Sequence, residues 1–130
     1  MTQLPTFETP KLAAAVEMLT ATELDALPFG VIGIDTAGHV RVFNKTEAVQ
    51  SGYGDRPSIG EALYSQVAPC MDNHFFKGRI EKARSNGTLD LRFSFVGDFN
   101  DRNRELTVRV QSASDGGTWI FHERKQGLAP

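Results

Sequence analysis

Two residues in the middle of the chain could do chemistry: Cys70, its only cysteine, and Glu47, a carboxylate in a short helical stretch. A thiol attacks as its thiolate, and acylation then removes its acidity. A carboxyl in an apolar pocket has its pKa raised, because desolvation disfavours the charged form, so it can stay protonated and donate a hydrogen bond. Each residue also has a plainer reading. A lone cysteine is commonly a small buried hydrophobe. Asn44 and Glu47 have the spacing of a helix N-cap and its third helical position, so Glu47 can serve the helix start. His74 lies four residues after Cys70, but with no third orienting group the pair makes no enzyme motif. Metal binding lacks a cluster of His and Cys, and haem through His74 or His122 rests on a lone histidine.

The elements that must position these residues are short. Residues 1–8 carry two prolines and no hydrophobic period, and read as a loose arm. Thr9-Pro10 has the form of an N-cap followed by Pro at the first helical position. Leu12, Val16 and Leu19 then share a helical face. Thr20 to Glu23 has capping-box spacing, with Leu24 and Leu27 as an apolar edge and Pro28 as the stop. Phe29 to Asn44 reads as a hairpin turning at Thr36-Ala37-Gly38, with Val40 and Val42 on one side and Arg41 and Phe43 on the other. From Asn44 to Gly87 helical pieces alternate with breakers. Pro69 places Cys70 just beyond a helix end or at a bend, and a longer helix over Phe75–Asn86 aligns Phe76, Ile80 and Ala83. Leu89, Leu91, Phe93 and Phe95 alternate with polar residues, as do Leu106, Val108 and Val110. Ser114 to Gly117 is a tight turn, and Trp119 and Phe121 close the last strand.

This order predicts an α+β domain: about five antiparallel strands, N-terminal helices, and a long helical crossover, with helices on one face of the sheet. The boundaries are an N-terminal helical cap over 1–28, a core over 29–125 and a tail over 126–130. A crossover this long is where function is expected. The 130 residues suit one domain. No apolar run approaches the ~20 residues of a membrane helix, and no signal peptide is visible. The net charge of −2 and the lack of a basic stripe argue against nucleic acid. A single cysteine fits a reducing cytoplasm.

The chain resembles the photoactive yellow proteins, blue-light receptors of the PAS fold. The likeness rests on Glu23-Leu24-Asp25-Ala26-Leu27-Pro28-Phe29-Gly30, on Asn44 with Glu47, on Val67-Ala68-Pro69-Cys70, and on Trp119-Ile120-Phe121. It runs from about Leu19 onward and is diluted after Cys70. The resemblance implies p-coumaric acid (4-hydroxycinnamic acid) joined by a thioester to Cys70, with its phenol ring in the core and ionised in the dark. Light isomerises the double bond, Glu47 gives the phenolate a proton, and the protein partly unfolds as a signal. Ile32, Leu63, Val67, Ala68, Pro69 and Phe99 complete the implied pocket. It also implies a ring-sized space between Glu47 and Cys70; an interior filled there with side chains is the outcome that counts against light sensing. A separate signalling protein is the expected partner, since no kinase, output or DNA-binding segment is visible, and residues 1–28 are the expected moving surface.

Departures stand beside the likeness. Phe43 replaces a family tyrosine that donates to the phenolate, and phenylalanine cannot donate. Ser51 replaces the threonine that orients that tyrosine. Tyr53 replaces a covering arginine. Gly97 and Phe99 stand at the aromatic positions near the pocket mouth, and Asp101 at a methionine tied to dark recovery. The missing donor predicts a raised phenol pKa, seen as a red-shifted band or as a mixture with a neutral near-ultraviolet band. The flavin class of PAS domains is disfavoured by the absence of a cysteine followed by an Arg-Phe-Leu-Gln type of motif. The alternative function is a PAS-like ligand or interaction module without the chromophore.

Overall fold

The computed structural model describes residues 4–87, 89–96 and 104–124. Helices α1 (Leu12–Val16) and α2 (Ala21–Asp25) precede strands β1 (Gly30–Ile34) and β2 (Val40–Phe43). Helix α3 (Lys45–Ser51) opens the crossover, which continues through turns at Leu63–Val67, Pro69–Met71 and His74–Gly78 into α4 (Arg79–Ser85). Strands β3 (Asp90–Val96), β4 (Glu105–Ser112) and β5 (Thr118–Arg124) follow. The five strands form one antiparallel sheet in the order β2-β1-β5-β4-β3. The α+β architecture is therefore as the sequence predicts.

The capping signals act as read at two of three sites. Thr20 accepts from the Glu23 amide and Glu23 reaches back to the Thr20 amide, which completes the capping box. The Asn44 side chain accepts from the Glu47 amide. At Thr9-Pro10 the reading fails: the helix begins at Leu12, after Lys11, without a side-chain cap. Thr9 Oγ1 instead accepts from the Thr6 amide. Of the arm expected over residues 1–8, the described part is not loose either. Phe7 is buried, because Arg109 donates to the carbonyls of Phe7, Thr9 and Pro10.

Helices cover both faces of the sheet, not one. β1 and β5 are buried almost throughout, and each offers apolar side chains on both sides. Val31, Trp119 and Phe121 pack with Phe7, Leu12, Val16, Leu24 and Leu27 from the N-terminal segment. Ile32, Ile34 and Ile120 pack with Leu63, Val67, Met71, Phe76 and Ile80 from the crossover. A strand with two apolar faces needs two covers.

Val40 and Val42 do not share a side. Val40 belongs to the crossover core, and Val42 packs against the N-terminal one. The register slips between the pairs Gly33–Val42 and Ile34–Val40. A β-bulge inserts one residue, here Arg41, and resets the alternation. Phe43 therefore faces the crossover. The helix expected over Phe75–Asn86 is a wide turn at His74–Gly78 continued by α4; Phe76 and Ile80 are buried on it, and Gly87 ends it at φ +84°.

Candidate functional site

Asn44 sets the position of Glu47. Its side-chain oxygen accepts from the Val31 and Glu47 amides, and its amide nitrogen donates to the Leu24 and Phe29 carbonyls. This pins the start of α3 against β1 and α2 and turns Glu47 and Ser51 inward, one turn apart. Glu47 is the only buried carboxylate among the described residues. Gly30 gives it room: a Cβ there would stand 1.9 Å from Glu47 Oε1. The Glu47 side chain does not serve the helix start, because it is engaged in the core.

Its partners come from β5, where Ile120, His122 and Arg124 point to the crossover side at period two. Arg124 donates to both carboxylate oxygens, Nη1 to Oε1 and Nη2 to Oε2, each at 2.9 Å. His122 Nδ1 lies 3.2 Å from Oε1 and 3.3 Å from Oε2. An acceptor-only carboxylate facing a ring nitrogen requires that Nδ1 carry the proton. Burial alone pushes the Glu47 pKa up, but the charges of His122 and Arg124 and their hydrogen bonds outweigh it and hold it down to about 2. Glu47 is thus ionised here, not the neutral donor that an apolar pocket would make. The sequence reading lacked Arg124 and His122 as partners of Glu47.

Cys70 sits in the short turn Pro69–Met71, exposed and in no disulfide. It is not the buried hydrophobe of the plainer reading. One cavity joins it to Glu47, with Ile32, Phe43, Ala68 and Phe95 among its walls and His122 and Arg124 at its polar end. The free space is about 20 Å³, enough for roughly one water, whereas a cavity that takes benzene measures on the order of 150 Å³. The recess holds about 330 Å³ only when the gaps between atoms and its opening to solvent are included. The ring-sized space expected between Glu47 and Cys70 is therefore absent from the ligand-free packing. Phe76, Phe95, Leu106 and Met71 fill the region together with His122 and Arg124.

The remaining expected pocket residues divide. Ile32, Phe43 and Ala68 line the cavity. Leu63 and Val67 are buried behind it in the crossover core, and Pro69 is exposed beside Cys70. Ser51 Oγ accepts from the Tyr53 amide. Tyr53 packs its ring on Phe43, lies under the Arg56 guanidinium, and donates its hydroxyl to the Pro57 carbonyl. That hydroxyl is directed outward, so Tyr53 does not supply the donor that Phe43 lacks. Gly97, Phe99 and Asp101 lie outside the described residues. His74 is exposed. Sequence reasoning missed Arg124 and considered His122 only as a haem ligand. The available signal was two-residue alternation carried past Phe121, which puts a histidine and an arginine on the core side of the last strand.

The PAS fold family matches residues 19–123. The chain is 31% identical over 103 residues to the photoactive yellow protein of Rhodothalassium salexigens and 32% identical to that of Halochromatium salexigens. Both matches span 78% of this chain and 82% of the relative. Among solved structures it is similar to the photoactive yellow protein domain of the sensor histidine kinase Ppr from Rhodospirillum centenum. That match has a TM-score of 0.77 and 35% identity, over 85% of this chain and 98% of that domain.

Proposed function

Since the chain belongs to the photoactive yellow protein family, with the PAS fold, we propose that it is a blue-light receptor carrying p-coumaric acid as a thioester on Cys70. The observation that carries this reading is one cavity lined by both the only cysteine and the only buried carboxylate of the described residues. The residues fit the group in kind and in order: an exposed sulfur at the mouth, apolar and aromatic walls, hydrogen-bonding groups at the inner end. They fit it in size only after the walls part. Phe95 is half-buried and Cys70 exposed, so the mouth is the side with least packing to lose. The chromophore supplies light absorption and a double bond whose isomerisation strains the pocket. Cys70 would attack the activated acid as thiolate, the sulfur–acyl bond forming as the bond to the activating group breaks and that group leaves with its electron pair. The walls exclude water, and the inner polar groups stabilise charge on the ring oxygen, which is costly to bury without donors. The signal leaves through residues 1–28 to a separate partner protein in the cytoplasm. Among the described residues no helix is long and apolar enough to cross a membrane.

A second reading, a PAS module for another ligand or a protein partner, is favoured by the water-sized cavity and by the Arg124–Glu47 pair that closes its inner end. Incubating the protein with activated p-coumarate separates the two. The receptor is expected to gain the mass of one p-coumaroyl group and a band that bleaches in blue light, with both lost in Cys70→Ala. An unmodified, colourless wild-type protein establishes the second reading.

A further inference from the structure

The two edges of the sheet end differently. At β2 the crossover closes the edge: Val40 donates to the Glu61 carbonyl and accepts from the Gly60 amide, and Leu63 donates to the Gly38 carbonyl. Among the described residues nothing pairs with the outer side of β3, the last strand of the order β2-β1-β5-β4-β3. The Ser112 amide donates to the Leu89 carbonyl, so by antiparallel alternation Leu91, Phe93 and Phe95 exchange their main-chain bonds with β4. Asp90, Arg92, Ser94 and Val96 then turn their N–H and C=O groups away from the sheet, and all four residues are exposed. An open edge of this kind is a template for a further strand. Beside it a groove runs between α4 and β3, with about 310 Å³ of free space. Ala83, Leu91 and Phe93 give the groove apolar walls, and Arg79, Lys82 and Arg92 line it with no carboxylate among them. Arg92 is held by Glu8 in two bonds of 2.7 and 2.9 Å, and Arg79 stands over the Phe93 ring at 5.0 Å. Asp90, the acid of β3, accepts from Gln111 Nε2 and does not line the groove.

We propose that this edge docks an extended acidic segment of a partner protein, which adds to β3 as a further strand. Its main chain exchanges hydrogen bonds with the outward groups of Asp90, Arg92 and Ser94. Side chains alternate along a strand, so every second one turns into the groove. There its aliphatic part packs on Leu91 and Phe93, and its carboxylates meet Arg79 and Lys82. In strand addition the main-chain bonds supply affinity, and the pockets for alternate side chains supply selectivity. The same charges disfavour the other candidate occupant, a second copy of this chain. A twofold pairing of β3 with β3 brings Arg79 and Lys82 of both copies into one seam, where like charges repel. The docking edge lies apart from the Cys70 cavity, and it is open whether or not Cys70 carries an acyl group.

The test uses the full chain, isotope-labelled, and a short end-blocked peptide of Glu, Val and Thr, set against the same peptide with Lys in place of Glu. Amide NMR is expected to show the Asp90, Arg92 and Ser94 signals shifted by the acidic peptide and their exchange with solvent slowed. The basic peptide should leave them unmoved. Added salt should weaken the complex. Arg79→Glu combined with Lys82→Glu, both at exposed positions, is expected to lower the affinity about tenfold or more. Ser94→Pro deletes an outward N–H, a change that an edge strand tolerates, and should abolish binding; if that variant unfolds, the charge reversal decides. Shifts that map elsewhere, equal binding of the two peptides, or no binding at millimolar peptide overturn the proposal. So does a dimer of the chain alone in sedimentation that Ser94→Pro dissolves, which would make this edge an interface between copies.

Discussion

Arg109 and Arg124 are both buried, on neighbouring strands and opposite faces of the sheet, and they are held in opposite ways. Arg109 donates to three main-chain carbonyls, those of Phe7, Thr9 and Pro10. Beside it Gln111 accepts from the Ala13 amide and donates to Pro10. Carbonyls do not titrate, so this arrangement fastens the N-terminal segment in a way that pH does not change. Arg124 faces a carboxylate beside a cavity, and that group can change charge. Polar groups that are satisfied by backbone hold a structure together. A cluster that ends in an unmatched Nε2 at a cavity is poised to accept something else.

The largest expected effect comes from a pair of glycines on β1. Gly30 is on the crossover side and Gly33 on the N-terminal side. A methyl at Gly30 would meet Glu47 Oε1 at 1.9 Å and Arg124 Nη1 at 3.2 Å. The carboxylate is held by two hydrogen bonds from Arg124 and cannot step aside without breaking its pair. Breaking a buried pair costs about 3–5 kcal/mol, so Gly30→Ala should lose stability on that scale. A methyl at Gly33 would meet the Trp119 ring at 2.9 Å. The indole packs in an apolar layer and its Nε1 donates to the exposed Glu17, whose side chain can follow a slight shift, so Gly33→Ala should cost about 1–3 kcal/mol, the usual range for overpacking. Urea denaturation of both variants makes the measurement. Equal losses would show that the two faces tolerate crowding alike and would break the contrast.

Next in size is the acid dependence of the ligand-free protein. The Glu47 pKa falls from 4.5 to about 2 on folding. A depressed carboxylate contributes stability that is fully present above its unfolded pKa and is lost as pH falls through its folded one. The contribution is about 3 kcal/mol at 1.36 kcal/mol per pKa unit. Unfolding free energy should therefore decline between pH 4.5 and about 2, and Glu47→Gln, though less stable at neutral pH, should lose this part of the slope. Arg109→Met leaves the Glu47 cluster intact and should keep the part of the slope that Glu47 contributes. A wild-type profile that is flat over this window would mean that Glu47 is not held by Arg124 and His122.

The parts of this contrast that the sequence made legible are the local ones. Thr20 with Glu23 and Asn44 with Glu47 are signals within one turn of helix; the first acts as read, and at the second Asn44 caps α3 while the Glu47 side chain goes to the core. Strand alternation found the sheet because an apolar side chain turned to water is costly over a whole strand. What stayed hidden depends on distant partners. Phe7 reads as part of an arm until Arg109, about a hundred residues on, is seen to collect the carbonyls around it. The Arg41 bulge leaves no mark in composition, and one extra residue was enough to exchange the faces assigned to Val42 and Phe43. Glu47 was chosen from its own segment, but its charge state is set from β5, so the expectation of a neutral acid failed. The cavity between it and Cys70 is a matter of side-chain packing, which residue order does not specify.

The smallest expected effect tests whether the two faces are mechanically separate. α2 and the residues just after it touch both regions: Leu24 and Leu27 pack in the N-terminal core, while the Leu24 carbonyl accepts from Asn44 and the Leu27 carbonyl from Thr46, both at the start of α3. Thr20→Ala removes the side-chain half of the capping box, which typically costs about 1 kcal/mol. If Asn44 holds α3 through its bonds to Val31 and Phe29 even when α2 frays, the variant loses that stability and amide protection in residues 20–26. The acid transition attributed to Glu47 then stays at the same pH. If that transition moves, the cap over the N-terminal face and the buried carboxylate are coupled through Asn44, and a change at one face is transmitted to the other.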